Sequence, residues 1–461
     1  MLKDKLKSFN IILASASPRR HVFFKTMDLD FEIRLKPVDE VYSKDLKGHE
    51  ITDYLAKLKA EPFIENLQNN DILNYGKLTY SNSTVYSDLD PYRINESYFQ
   101  SSGFPYGSVN GFELGGTSID ANIAKEKINT NEIGLNLGFF NSRVSLDASY
   151  FNTVTSDLIT FTTPSVASAS TSFLTNIGEL EGNGIELSIS GTVLKAEDFS
   201  WDLNINYSSS ETKVNSIKEG LDEIAVATTG QYGVYAVVGE AFPQIKANVY
   251  QRDPQGRIIV DGASGHPLTE ETLQSLGKTT PDYILGFNSV INYKGLTLSG
   301  TLDYRTGHIY YEQGSDAMEF TGRSIASVSA NRQDFVIPNS VIETSPGVYS
   351  ENTNVQVAGG RQNYWTDVYN DVKSNYVKDA TALKLREIAL SYSLPEAVLD
   401  KIKLTKVTFG LIGRNLFTKL PEENRFSDPE FNNTNSNAIG IGGYFQSPPT
   451  KSFGFNVNVE F

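Results

Sequence analysis

Cysteine is absent from this 461-residue chain, which excludes disulfides and thiolate metal sites. Histidine occurs only four times, and no two histidines stand at metal-ligand spacing. No run of ~18 apolar residues exists, so the sequence contains no transmembrane helix. Basic residues are outnumbered, with 40 Lys and Arg against 55 Asp and Glu, and the net charge of -15 argues against a nucleic-acid partner. The remaining classes are a soluble protein and a membrane β-barrel, whose strands give only a weak hydropathy signal.

Composition changes abruptly near residue 73. Residues 1–73 contain 12 basic and 12 acidic residues, so the rest of the chain carries the whole net charge of -15. The same 73 residues include one Gly and two Tyr, whereas residues 74–461 include 35 Gly and 22 Tyr. Such a shift marks a boundary between different kinds of structure. The sequence therefore predicts two domains, 1–73 and 74–461.

The chain begins with a short apolar stretch that does not suit a signal peptide. Its apolar core has about six residues and is interrupted by Asn10, below the ~7–15 residues of a secretory h-region. We expect a strand over 11–14, then a helix with Ser17 as N-cap and Pro18 as first residue. Arg19 and Arg20 fall in the first turn, where the helix dipole disfavours cations unless an anion binds there. Two solvated arginines are the alternative.

Four segments of this region share their order and spacing with one enzyme family. They are LASASPRR (13–20), LDF (29–31), VDE (38–40) and YLAKLKA (54–60). Together they resemble the Maf family of nucleoside-triphosphate pyrophosphatases. The resemblance implies that five residues fall on the family's substrate-phosphate and metal-site positions: Ser15, Arg19, Arg20, Glu40 and Lys59. Taken singly, Lys59 is a solvated helix residue and Glu40 an ordinary loop carboxylate.

The Maf-like pattern stops at Leu73. The family continues with a strand and an Asp-Thr element that supplies the catalytic, metal-binding aspartate, whereas this chain continues Asn74-Tyr75-Gly76. Hydrolysis of a pyrophosphate bond needs a bound divalent ion and an activated water. We therefore expect a truncated α/β fragment with a vestigial nucleotide half-site, no catalytic residue, no bound metal and no other cofactor. A divalent metal would be expected only in a complete Maf-like domain.

Apolar and polar residues alternate with period 2 through residues 74–461. Strand pairs are predicted over 133–139 with 144–150, 185–189 with 201–207, 283–293 with 296–304, and 388–394 with 407–411, before a last strand over 453–461. Short connections within pairs alternate with long ones between pairs, which places every long loop on one side. Outer-membrane barrels have this arrangement. A soluble sandwich also alternates, but it seldom carries several long structureless loops.

The predicted fold class is therefore mainly β, a partial transmembrane antiparallel β-barrel of roughly 10 to 13 strands in contact with outer-membrane lipid. Five further segments are NIGELEGNGIEL (176–187), YKGL (293–296), LREIALSY (385–392), GRNLFT (413–418) and DPE (428–430). They resemble SusC/RagA-type TonB-linked outer-membrane proteins. The resemblance implies a nutrient transporter for oligosaccharides or peptides, with a SusD-like surface lipoprotein as partner. It also implies a terminal strand read by the barrel-assembly machinery, namely Phe453, Phe455, Val457, Val459 and Phe461.

Parts of that family pattern are not found. We expect an incomplete barrel, because no plug, no TonB-contacting segment and fewer than the family's about 22 strands can be recognised. The expected location is the outer membrane, or the cytoplasm if the Maf-like part governs it. The alternatives are a Maf-like pyrophosphatase, predicted inactive, and a non-functional fusion or assembly chimera. The loop acids Asp253, Asp261 and Asp428 are expected to be solvated, and Gly-rich 437–443 to be a mobile loop.

Overall fold

The computed structural model describes residues 11–27, 29–36, 38, 41–42, 49–61, 72–95, 98–101, 111–162, 164–168, 170–217, 221–360, 362–434, 437–444 and 446–461. The chain divides into two compact units, residues 1–71 and 72–461. In the first unit β1 (Ile11–Leu13) pairs in parallel with β2 (Phe31–Ile33), and α1 (Pro18–Thr26) connects them. α2 (His49–Ala60) follows. The predicted strand and the predicted helix start at Pro18 are confirmed.

The second unit is built almost entirely of strands. In chain order they are β3 (Leu73–Ser87), β4 (Tyr98–Ser101), β5 (Gly111–Leu114), β6 (Thr117–Ile119), β7 (Glu126–Phe139), β8 (Val144–Ser156), β9 (Ile159–Thr162), β10 (Ser172–Asn176), β11 (Glu179–Lys195), β12 (Phe199–Ser216), β13 (Glu223–Thr228), β14 (Tyr232–Val237), β15 (Gln244–Ala247), β16 (Ile258–Ile259), β17 (Gln274–Lys278), β18 (Tyr283–Tyr293), β19 (Leu296–Thr306), β20 (Ile309–Glu312), β21 (Ser340–Ser345), β22 (Val348–Glu351), β23 (Val377–Asp379), β24 (Ala382–Ser393), β25 (Lys406–Lys419), β26 (Ile441–Gly442) and β27 (Ser452–Glu460). The helical elements are α3 (Gln313–Phe320), α4 (Glu396–Ile402), the 3-10 turns Val166–Ser168, Ile325–Val328 and Lys373–Tyr376, and a π-helical turn, Tyr364–Tyr369. Within the described ranges no helix has the length and apolar character needed to cross a membrane.

Ten of these strands form one antiparallel sheet. Their order is β3, β7, β8, β11, β12, β18, β19, β24, β25 and β27, so each strand pairs with the next sheet strand along the chain. Four connections are short: 140–143, 196–198, 294–295 and 394–405. Five are long: 88–125, 157–178, 217–282, 307–381 and 420–451. Because the strands alternate in direction, every long connection lies at one end of the sheet, and the predicted alternation is confirmed.

The register of this sheet separates apolar from polar side chains. Leu285 lies opposite Tyr207 on one neighbouring strand and opposite Tyr304 on the other. Asn288 lies on the opposite side of its strand, between Asn204 and Thr301. Successive residues of a strand point to opposite faces, so the matched register extends both patterns across the sheet. One face is apolar and the other polar, and these names are used below.

The apolar face is open to its surroundings. On β27 and just after it, Phe453 is 78%, Phe455 66% and Phe461 95% exposed. Exposed large apolar side chains also occur on β7, β11, β19, β24 and β25, for example Leu298 and Leu411. A contiguous apolar surface of this extent is unusual on a soluble monomer. The face therefore needs an apolar environment.

The described parts of the long connections are folded, contrary to the expectation of structureless loops. They contain a sheet of β13, β14, β15 and β17, a second of β16, β21 and β22, and a third in which β20 lies between β23 and β26. These sheets pack through apolar and aromatic side chains. Tyr232 on β14 stacks on Tyr311 on β20 with ring centroids 3.7 Å apart. Tyr364 and Trp365 pack with Val357 in another cluster. These connections bury their own small cores, which period-2 strand patterns do not reveal.

Two further loop expectations are wrong. Asp253 is 4% exposed and accepts hydrogen bonds from the backbone N–H and the side chain of Arg257, both at 2.8 Å. The Gly-rich segment 437–443 is not a free loop, since Ile441 pairs with Tyr311 in the β20–β26 ladder. Asp261 is exposed, as expected. In both corrected cases the partner lies in a folded connection.

Ion pairs fasten the last long connection to the polar face. Lys384 on β24 lies 2.5 Å from Asp428, and both side chains are about 5% exposed or less. Glu430 lies 2.6 Å from Arg305 on β19 and also pairs with Lys384 and Arg386. Asp428 was expected to be solvated, but the ammonium of Lys384 attracts it into the sheet. The quoted segments 385–392 and 428–430 thus meet in space.

Removal of one partner of the buried pair should be costly. Lys384→Met leaves the Asp428 carboxylate buried without its cation, and we expect a loss of about 3–5 kcal/mol in the free energy of unfolding. Lys384→Met combined with Asp428→Leu should recover most of that loss. Lys294→Met is the control, because its pair with Asp198 is exposed at 3.5 Å and should contribute less than about 1 kcal/mol. Urea unfolding of the detergent-solubilised chain measures all three, and equal losses for the two single variants would contradict the expectation.

Candidate functional site

The N-terminal candidate residues lie at the junction of β1 and α1. The Oγ of Ser15 accepts a hydrogen bond from Arg20 Nη1 at 3.4 Å and from the backbone N–H of Ser17 at 3.3 Å. The ring of His21 bonds the carbonyl of Ser15 at 2.6 Å. Arg19 and Arg20 are exposed in the first helical turn. Two guanidinium groups at a helix N-terminus are an arrangement that attracts anions.

The other two members of that set are placed less completely. Lys59 is partly buried near the end of α2, and Glu40 lies outside the described residues. In the described part of the first unit the structure therefore brings Ser15 and Arg20 together. Among all described residues, no group of three His, Asp or Glu side chains could hold a metal ion. The assignment of these five residues to nucleotide binding stays a prediction.

A groove runs across the polar face of the large sheet. Its volume is about 540 Å³, and its lining crosses seven strands, from Thr79 on β3 to Asp303 on β19. The polar face is therefore concave. Its described lining residues include no Lys or Arg, and the carboxylates are Glu132, Asp147, Glu186 and Asp303. Hydroxyl, amide and carboxylate groups in a groove of this kind can hydrogen-bond a hydrated polar molecule.

Charge is balanced where the last long connection covers this face. Arg305, Lys384 and Arg386 of the sheet contact Glu430 of the connection. Burial opposes ionisation of Glu430, but the cations of Arg386, Lys384 and Arg305 outweigh it and lower the pKa of the carboxyl to about 2. Glu430 is therefore charged throughout the physiological pH range. This end of the polar face is fixed by electrostatics rather than left open.

A second buried carboxyl has the opposite character. Glu319 on α3 is 6% exposed, and its Oε2 has no hydrogen-bond partner among the described residues. Burial raises the pKa of this carboxyl to about 7, although the ammonium of Lys378 and the hydroxyl of Ser324 favour its charged form. The folded loop region thus binds a proton more tightly than the unfolded chain does.

Sequence reasoning missed both of these carboxyl sites for different reasons. Lys384 and Arg386 interrupt a mostly apolar strand segment, and acids follow 44 residues later, so a signal existed in principle. Glu319 gives no such signal, because an acidic residue in a short helix is ordinarily solvated. Its burial depends on packing between elements that are distant in the chain.

The raised pKa of Glu319 predicts a pH-dependent stability. The folded-state pKa lies above the unfolded value of 4.5, so the stabilising contribution of the proton is complete at low pH and is lost as pH rises through about 7. We expect the free energy of unfolding to fall by up to about 3 kcal/mol between pH 4.5 and pH 8.5. Glu319→Gln should remove this fall. Thermal unfolding of both proteins across that range measures it, and parallel pH profiles would contradict the expectation.

Comparison with known proteins separates the two parts of the chain. Residues 58–245 match the family described as TonB dependent receptor-like, beta-barrel, and residues 10–79 match the Maf-like protein family. TonB-dependent receptor P26 of Formosa agariphila is 26% identical over 439 residues, which cover 87% of this chain and 41% of that protein. The dTTP/UTP pyrophosphatase of Flavobacterium johnsoniae is 62% identical over 73 residues, 16% of this chain and 38% of that protein.

A solved structure shares the fold of the larger part. The RagAB peptide transporter aligns over 87% of this chain and 42% of that chain, with a TM-score of 0.64 and 17% identity. The chain thus spans about two fifths of the length of each protein compared. The strand content, the sheet and both sequence matches agree with the resemblances noted in the sequence. The larger part of the chain is thus similar to the β-barrel of TonB-dependent receptors, SusC among them, and shares the fold of the RagAB transporter, while the N-terminal segment is Maf-like.

Proposed function

We propose that residues 74–461 form the C-terminal part of an outer-membrane TonB-dependent transporter barrel that imports oligosaccharides or peptides. The observation that carries this proposal is the continuous apolar face of a ten-stranded antiparallel sheet with all long connections at one end. Lipid acyl chains can cover such an apolar face, and the strands of a membrane barrel direct alternate residues to the lipid and to the lumen. The relatives indicate the outer membrane and give no support to the cytoplasmic alternative.

The concave polar face supplies the lumen wall in this proposal. Its groove offers hydroxyl, amide and carboxylate groups, which suit a hydrated polar cargo. Peptide cargo is the function named for the RagAB transporter, and it is proposed here by that likeness. A SusD-like surface lipoprotein is the proposed partner, supported by the likeness to SusC- and RagA-type proteins.

The terminal strand is proposed as the signal for the barrel-assembly machinery. Phe453, Phe455, Val457, Val459 and Phe461 all project from the apolar face of β27 or directly after it, and all are exposed. A regular row of apolar side chains ending in an aromatic residue is available for recognition by another protein. The machinery and lipid are thus the two proposed contacts of this face.

Substitutions on adjacent residues test the membrane proposal. Leu298→Arg places a charge on the apolar face, and we expect a loss of about 2–4 kcal/mol in folding into a lipid bilayer. Ser299→Arg places the same charge on the polar face and should cost much less. Urea unfolding in lipid vesicles measures the stability of each variant. In cells that make the chain, growth on oligosaccharides or peptides should then survive Ser299→Arg and fail with Leu298→Arg. A bilayer stability equal for both variants, or growth unaffected by deletion of the gene, would refute the proposal.

For the N-terminal part we propose a separate Maf-like fragment, residues 1–73, that keeps a nucleotide half-site without activity. The support is the pairing of Ser15 with Arg20 beside Arg19, together with the break in the family pattern after Leu73. A gene-fusion or assembly chimera is the alternative origin of the joined chain. A transcript that crosses codons 70–78 in one molecule would exclude an assembly chimera.

The fragment should not hydrolyse nucleotides. We expect the purified chain to release no pyrophosphate from dTTP or UTP with Mg²⁺ or Mn²⁺, because the sequence after Leu73 supplies no metal-binding aspartate. Arg19→Ala is the control variant, because it removes one of the two guanidinium groups of the half-site. Turnover above background that disappears in this variant would show that the half-site is a working enzyme.

A further inference from the structure

A small cavity lies beside α3, within the 307–381 connection and apart from the groove of the large sheet. Its volume is about 250 Å³, and its wall includes Glu319, Thr321, Ser327, Trp365 and Thr366. Cavities for drug-sized ligands commonly measure ~300–1,000 Å³. This one therefore suits a single small chemical group or the end of a longer molecule.

The hydroxyl groups in its wall are already committed as donors. Thr321 donates to the carbonyl of Ala317 at 2.8 Å, and Ser327 donates to the carbonyl of Ser324 at 2.8 Å. Thr366 donates to a backbone carbonyl at 3.4 Å. A hydroxyl has one proton to donate but two acceptor lone pairs. Toward a ligand these three oxygens can therefore only accept hydrogen bonds.

Glu319 adds a stronger acceptor to the same wall. Its side chain is buried at 6% exposure, and its Oε2 has no hydrogen-bond partner among the described residues. A buried polar atom without a partner costs free energy that a suitable ligand would offset. An ionised carboxylate accepts only, so Glu319 and the three hydroxyls together call for a ligand rich in donors.

We propose that this cavity binds a primary ammonium group, as found on amines, lysine side chains and peptide amino termini. An ammonium has three N–H donors and no acceptor, which complements a cavity wall that contains one carboxylate and three acceptor-only hydroxyls. The aromatic rings of Trp365 and Phe320 also line the cavity, so a bound group would lie close to Trp365. Arg332 lines it too, but its guanidinium is exposed and donates to the carbonyl of Gly322 at 2.9 Å, so solvent screens its charge.

This inference goes beyond the transport proposal and does not depend on it. Binding requires the folded connection alone, so it can be measured in the purified full chain in a non-ionic detergent. The chain has two tryptophans, and Trp201→Phe leaves Trp365 in the cavity wall as the single reporter. Trp201 lies on the large sheet, outside the cavity.

The probes are methylammonium, tetramethylammonium and the neutral control glucose, at constant ionic strength and pH 8.5. The two ammonium ions each carry one positive charge, but tetramethylammonium has no N–H donor. We expect methylammonium to change Trp365 emission saturably, with a dissociation constant on the order of millimolar, and tetramethylammonium and glucose to leave it unchanged. An equal response to methylammonium and either other probe, or no saturable response, would overturn the proposal.

Two variants assign the response to Glu319. Glu319→Gln keeps the shape but removes the negative charge, and should weaken methylammonium binding about tenfold or more. Glu351→Gln is the matched control on exposed β22 and should bind normally. Thr366→Val removes one acceptor and should weaken binding less than Glu319→Gln. Unchanged affinity in Glu319→Gln, with folding verified by its circular dichroism, would overturn the proposal.

Discussion

The large sheet depends on a single constraint, the register between neighbouring strands. Side chains alternate with period 2, so a shift by one residue would move every apolar side chain of a strand to the polar face. The opposed positions Tyr207, Leu285 and Tyr304 show that the register is matched from strand to strand. One apolar surface and one concave polar surface result. The exposed apolar face and the groove on the polar face follow from that matching, whereas the placement of all long connections at one end follows from the antiparallel strand order.

Ion pairs attach the last long connection to the polar face that the register creates. The polar face carries Lys384, Arg386 and Arg305 near the long connections, and an uncompensated cation there would be costly where water is excluded. Asp428 and Glu430 supply the opposite charges from the last connection. The loop region is thereby attached to the sheet by charge, while its own cores are apolar. Ion pairs attach the loop region to the sheet, and apolar clusters stabilise its internal structure.

The sequence predicted what is local and missed what is distant. Strands such as β18 and β19 have strict alternation and a two-residue turn at 294–295, so their pairing could be inferred from the residues alone. β14 could not, because Tyr232–Ala236 are buried on both sides and give a continuous apolar run without a period. Asp253 and Asp428 were expected to be solvated. Asp428 instead pairs with Lys384, 44 residues earlier on β24, and Asp253 is buried in a folded connection where it pairs with Arg257. The cavity beside Glu319 is lined by α3 and by the π-helical turn, and no residue spacing in the sequence predicts that these two elements are adjacent.

The third loop sheet has a consequence for the order in which the region forms. β20 (Ile309–Glu312) lies between β23 and β26, and its parallel partner Ile441 comes 130 residues after Tyr311 in the chain. Tyr311 also stacks on Tyr232, far upstream. Contacts of such long sequence separation form slowly, because loop closure must precede them. Tyr311 can meet Tyr232 without residue 441, but its strand gains its second neighbour only when residue 441 joins it. This third loop sheet is therefore among the last parts of the loop region to become complete.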